Sequence, residues 1–115
     1  MSIKRTGVGP IMSRIVEHNG VVYLCGLTAD DRTPDIKEQT RQILAKIDQY
    51  LATAGTSKAK LLTATVYLTD MSTKAEMNEV WQDWIDPANP PTRACVGTAL
   101  GTADTLIEIV VSAAK

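Results

Sequence analysis

The stretch "TLIEIVVSAA", residues 105–114, decides how the chain folds. Its Ile and Val side chains favour a strand. Apolar residues fall on both faces of that strand, whereas a strand covered on one side alternates apolar and polar. Both faces of the sheet that holds it therefore need covering. Glu108 interrupts the run and shares a face with Leu106 and Val110, since residues two apart in a strand point the same way. A carboxylate among aliphatics is costly to bury without a partner. Two readings follow: Glu108 reaches the sheet rim and faces water, or it lies in a pocket where it holds and polarises a water.

The segment before it, "NPPTRACVG" (89–97), poses the companion question. Pro90 and Pro91 cannot continue a helix or donate to a sheet ladder, so the chain restarts after them as a strand, about Thr92–Thr98. Arg93 and Cys95 then share a face. Arg93 offers a planar fork of donors that matches a carboxylate or phosphate. Taken alone, it reads as a surface arginine or as the ion-pair partner of Glu108. On adjacent closing strands the two would flank one small cavity. Cys95 is either a small buried hydrophobe or a thiolate favoured by the neighbouring cation. No second histidine accompanies it as a base.

Further out, "SRIVEHNGVVYLCGLTA" reads as a hairpin with arms Ser13–His18 and Val21–Thr28, turning at Asn19-Gly20. Gly26 inside the second arm marks a bulge or a close backbone approach. His18 sits beside the turn and faces solvent. Thr33 and Pro34 suit the N-cap and first position of a helix over about 34–54, with Ile36, Ile43, Leu44, Ile47 and Leu51 at helical spacing and Gly55 as its stop. Leu61–Leu68 is a strand. Thr73 and Glu76 have the spacing of a capping box for a second helix, about 73–85. Its apolar positions are Met77, Val80, Trp81, Trp84 and Ile85, and the tryptophans read as packing. Asn78 borders that stripe, either as a polar edge residue or reaching towards the cavity. The order β-β-α-β-α-β-β gives one α+β domain, a two-layer sandwich with both helices on one face of a mixed sheet. The second face of the sheet is left for another copy of the chain.

The 115 residues suffice for one domain with its own core. Twelve basic and 13 acidic residues leave a net charge of −1, without the basic excess that phosphate contacts demand, so nucleic acid is not expected as a partner. No apolar run approaches the roughly 20 residues of a membrane span, and the first residues do not have the pattern of a signal peptide. The two cysteines, Cys25 and Cys95, read as free thiols in a reducing cytoplasm. With one histidine and no CxxC, a metal site is not expected.

"PPTRACVGTAL" followed by "LIEIVVSAA" resembles the end signature of the Rid/YjgF family, the reactive-intermediate (enamine/imine) deaminases. Gly9-Pro10, "VYLCGLTA", "EQTRQILAKIDQYLATAG" and "LLTATVYLTDMSTKAEMNEVW" fit as well, so the resemblance spans the whole chain. It implies a chorismate-mutase-like fold and a homotrimer whose sheets form a central barrel, with ligand clefts between subunits. It implies hydrolysis of 2-iminopropanoate and 2-iminobutanoate to 2-oxo acids and ammonia, without a cofactor. Carried over, Arg93 anchors the substrate carboxylate, Cys95 contacts ligand largely through its backbone, and Glu108 positions the attacking water. Gly26 and Asn78 complete the cleft. Two departures stand out: the family's deaminases carry a tyrosine just after the early Gly-Pro, where this chain has Ile11-Met12, and Gln-Ile-Pro after the second-strand glycine, where it has Leu27-Thr28-Ala29. The cleft wall is therefore less polar, as in a divergent subfamily. A trimer that binds small carboxylates without turning them over is the competing function. Arg93 and Glu108 must converge across neighbouring chains. Placement on opposite surfaces, or a monomer without any shared crevice, would remove the deaminase reading.

Overall fold

The computed structural model describes residues 2–115. The strands are β1 (Lys4–Val8), β2 (Ser13–His18), β3 (Val21–Leu24), β4 (Leu61–Leu68), β5 (Thr92–Gly97) and β6 (Ile107–Ala114); the helices are α1 (Ile36–Thr53) and α2 (Lys74–Trp84). One six-stranded sheet runs in the order β1-β2-β3-β6-β4-β5. All neighbouring pairs are antiparallel except β4 and β5.

The connections explain the layers. Strand β3 leads through α1 to β4, two places along the sheet, and β4 leads through α2 to its parallel neighbour β5. Both crossovers travel in the same direction. Right-handed crossovers made in one direction put their helices on one face. There α1 and α2 pack on each other and on the sheet, burying Ile43, Leu44, Ile47, Leu51, Met77 and Trp81 against Val22, Leu27, Val66, Ile107 and Ile109. The α+β two-layer expectation stands. The opposite face carries Val16, Tyr23, Thr65, Tyr67, Val96, Glu108 and Val110, with no helix over it.

The hairpin forms as expected. Asn19 (φ 52°) and Gly20 (φ 76°) supply the two positive dihedrals that the turn needs. Its second arm stops at Leu24 rather than Thr28, because the chain jogs at Cys25-Gly26 before Leu27 pairs again with Ile109. Four expectations need correction. Strand β1 was not expected: "KRTGV" is polar, and Gly7 at φ 64° breaks its pattern. Helix α1 is capped by Asp35, whose side chain accepts from the Glu38 amide at 3.1 Å, and not by Thr33. Thr73 and Glu76 make no capping box; Thr73 donates to the Asp70 carbonyl, and Asp70 caps a short 3-10 turn (Met71–Thr73) that leads into α2. The closing strands β5 and β6 are not adjacent, because β4 lies between them.

Gln39 ties the loops that lead into α1 and β6. Its side chain is fully buried; the amide nitrogen donates to the carbonyls of Arg32, Pro34 and Asp104 at 3.1–3.2 Å, and its oxygen accepts from the Leu106 amide at 3.1 Å. An apolar replacement would leave buried backbone groups unpaired, at about 1–3 kcal/mol for each group that water cannot reach. Gln39→Leu is expected to lower unfolding free energy by about 3 kcal/mol in urea titration; a loss below about 0.5 kcal/mol would show that these loops hold without it.

Candidate functional site

The double proline places Arg93 at the start of edge strand β5. Parallel register sets Arg93 beside Ala64 and Cys95 beside Val66, both core residues, so Arg93 and Cys95 share a face, as their spacing predicted, and that face is the helix layer's. The guanidinium carbon lies 5.2 Å from the ring centroid of Trp81, and Nη1 lies 3.8 Å from the Met77 sulfur. A cation over an indole face gains about 0.5–2 kcal/mol and has its plane oriented. Arg93 is half-buried and makes no ion pair among the described residues. Cys95 is half-buried against the core edge, and Asn78 is half-buried next to Met77 on α2. Trp84, expected as packing, is half-buried and donates its indole N–H to Asp48 at 3.0 Å.

Glu108 belongs to the other face. Its strand neighbours Ile107 and Ile109 are fully buried beneath the helices, while Glu108 stands in register with Tyr67, and Tyr67 with Val96. Glu108 is half-buried on the face without helices. The close approach anticipated at Gly26 is real: a Cβ there would collide with Oε2 of Glu108 and stand 3.0 Å from its carboxyl carbon. The glycine thus lets the carboxylate lie across the backbone. Gly26 also lines a cavity of about 330 Å³ with Pro10, Ile11, Met12, Arg14 and Cys25. Burial pushes the Cys25 thiol above its usual range, and the nearby Arg14 and Lys46 charges offset part of that rise.

Arg93 and Glu108 do not flank one cavity within a chain. They lie two strands apart, on opposite faces of the sheet. This corrects the expectation of a shared single-chain pocket and excludes an Arg93–Glu108 ion pair inside one protomer. Each chain therefore carries two separate clusters: Arg93 with Trp81 and Cys95 at one edge, and Glu108 against Gly26 on the other face. A groove of similar volume between the helices, lined by Leu44, Asp48, Lys58, Val80 and Trp84, contains neither cluster. His18, expected at the surface, is only partly exposed, and its ring meets the Ser2 carbonyl at 3.3 Å.

Arg14 was missed. The inward placement of Ile15 and the buried Glu17 puts Arg14 on the face of Val16, a signal that the alternation of "SRIVEH" already contains. Nothing in the sequence brought it beside Gly26, twelve residues on.

A two-helix layer on a six-stranded mixed sheet, with an arginine lacking an ion-pair partner among the described residues at its edge, defines a small α+β domain. The model of the family described as "Endoribonuclease L-PSP" matches residues 8–115. A RutC family protein of Haemophilus ducreyi is 39% identical over 97% of this chain and 96% of its own length. The RutC family protein YoaB of Escherichia coli is 33% identical, covering 99% of each chain. A crystal structure of a YjgF family member from Neisseria meningitidis superposes with a TM-score of 0.97 at 39% identity, covering 100% of this chain and 96% of that one. The chain belongs to the YjgF/RutC (L-PSP) family.

The contact between Gly26 and Glu108 has a measurable consequence. Gly26→Ala is expected to fold but to lose about 1 kcal/mol, because the Glu108 carboxylate must swing away. Introduced into a Glu108→Ala background, the same change should cost little. Equal losses in both backgrounds, by urea denaturation, would mean that the carboxylate does not lie there.

Proposed function

We propose that this protein, assembled as a homotrimer, hydrolyses reactive 2-imino and enamine acids such as 2-iminopropanoate and 2-iminobutanoate to 2-oxo acids and ammonia. Arg93 of one copy and Glu108 of a neighbour would complete each site. The observation that carries this reading is Arg93 itself, a half-buried guanidinium oriented by Trp81 and Met77 with no anion of its own chain to balance it. A bidentate carboxylate is the natural complement of that fork. The opposite-face placement means that no single chain can act alone, so the proposal stands or falls with a crevice made between copies. The uncovered sheet face supports such contact: Tyr23 and Val96 are 50% and 41% exposed there.

The chemistry asks little of the protein. An enamine first tautomerises to the imine, whose C2 is electrophilic. Arg93 holds the carboxylate and fixes the orientation of C2. Glu108 accepts a proton from water as its oxygen bonds to C2 and returns it to nitrogen, giving a carbinolamine; the hydroxyl proton then passes through Glu108 to nitrogen as the carbonyl forms. The C–N bond breaks, ammonia leaves, and the 2-oxo acid remains. No electron transfer is involved.

Binding without turnover is the second reading, and Ile11 is the observation behind it. It is 92% exposed in the turn after Gly9-Pro10, where the family's deaminases carry a tyrosine. RNA cleavage, suggested by the family model's description, has less support from a chain with a net charge of −1.

With imine generated in situ and its spontaneous hydrolysis subtracted, Arg93→Ala is expected to lower kcat/KM at least a hundredfold while sedimentation still reports the trimer. Undiminished activity would overturn the assignment. Glu108→Gln should keep 2-oxobutyrate binding while turnover falls; loss of both would make Glu108 structural. A wild-type protein that binds 2-oxo acids but adds nothing to ammonia release in a coupled dehydratase assay would decide for the binding module.

A further inference from the structure

The cavity beside Gly26 holds a cation that the proposed reaction does not use. Arg14 lines that cavity with Gly26, and the Glu108 carboxylate lies against the same glycine. In the single chain Arg14 is exposed and reaches towards α1, but its stem is held. A Cβ on Gly7 would stand 3.0 Å from both Cβ and Cγ of Arg14, so the glycine makes room for the arginine stem, and Nη1 donates to the Tyr50 hydroxyl at 3.3 Å. Arg14 forms no ion pair among the described residues. The carboxylate in its neighbourhood, Asp30, is taken by Lys46 at 2.9 Å, with Arg32 also contributing positive charge there. The cavity lining therefore carries one cation, Arg14, and no carboxylate, the nearest acid of the sheet being Glu108 against Gly26. Pro10, Ile11 and Met12 make the rest of its wall apolar, and its volume of about 330 Å³ reaches the range of pockets that enclose a whole small ligand, about 300–1,000 Å³.

We propose that Arg14 is a specificity residue that receives a second anionic group at the end of the substrate side chain, so that the preferred ligands are 2-imino (and product 2-oxo) dicarboxylates with a short methylene spacer. This rests on the reading in which Arg93 of a neighbouring copy anchors the first carboxylate. The two guanidinium groups then hold the ends of the ligand, the apolar wall packs on its methylenes, and C2 lies between them near Glu108. A polar group left unpaired by the wrong substrate is what makes such a site selective. A monocarboxylate would gain nothing from Arg14, which would keep only water and the Tyr50 hydroxyl.

Two measurements on the intact oligomer test this and separate its failure from that of the deaminase reading. In titration calorimetry, wild type is expected to bind 2-oxoglutarate at least tenfold more tightly than 2-oxobutyrate. Arg14→Gln should reduce that ratio to near one and Arg14→Lys should restore part of it. Equal wild-type affinities, or a ratio unchanged in Arg14→Gln, overturn the proposal whether or not the protein is an enzyme. In the kinetic arm, imines are generated by amino-acid oxidases acting on glutamate and on alanine, with catalase present. The ratio of kcat/KM for the dicarboxylic over the monocarboxylic imine should fall about tenfold in Arg14→Gln, mainly through KM. Parallel loss on both substrates would make Arg14 structural and refute its role in selection. If wild type hydrolyses neither imine, the deaminase reading fails and calorimetry alone decides on Arg14.

Discussion

The handedness of two crossovers governs everything else in this molecule. From β3 to β4 and from β4 to β5 the chain moves the same way across the sheet, so right-handed connections put α1 and α2 on one side. One face of the sheet is sealed by Ile43, Leu44, Ile47, Met77 and Trp81. The other receives no helix from this chain, although β6 carries apolar residues towards it. Arg93 lies under the helix layer at the sheet edge; Glu108 lies on the bare side. Their separation follows from the pleat, in which neighbouring residues of a strand point to opposite faces, and no rotamer change can undo it.

Each cluster is built by local economy. Trp81 and Met77 are one helical turn apart on α2, which sets a ring and a sulfur beside one guanidinium and orients it without an acidic partner. An ion pair there would have stabilised the chain at the cost of the free donor fork. On the far face, the absence of a side chain at Gly26 lets the Glu108 carboxylate lie against backbone. The jog at Cys25-Gly26 that interrupts the strand also opens the cavity beside it. Gln39 holds the loop ahead of β6 through Asp104 and Leu106, and so steadies the strand that presents Glu108.

Much of this was legible in the sequence because it depends on short-range rules. Asn19-Gly20 declared its turn, Leu61–Leu68 and the double proline declared strands, and the spacing of Ile43, Leu44, Ile47 and Leu51 declared a buried helix face. The shared face of Arg93 and Cys95 followed from a separation of two. The misses share a cause as well. Asp35 and Asp70 displaced the expected caps because several short polar residues compete for the same few amides, and geometry rather than residue type selects among them. Strand β1 has little apolar content, since an edge strand can be held by backbone pairing alone.

By itself the sequence determined which segments are helix or strand, β1 excepted, which way each side chain leans relative to its neighbours, and, through five ordered segments, the family. Those properties are set within a few residues or along an inherited pattern. Only the tertiary structure decided that β6 inserts between β3 and β4, that Arg93 and Glu108 therefore turn their backs on each other, and that Arg14 meets Gly26. Strand order depends on which distant edges pair as the chain collapses, and no local preference of residues 92–97 or 107–114 specifies the strand that will come between them.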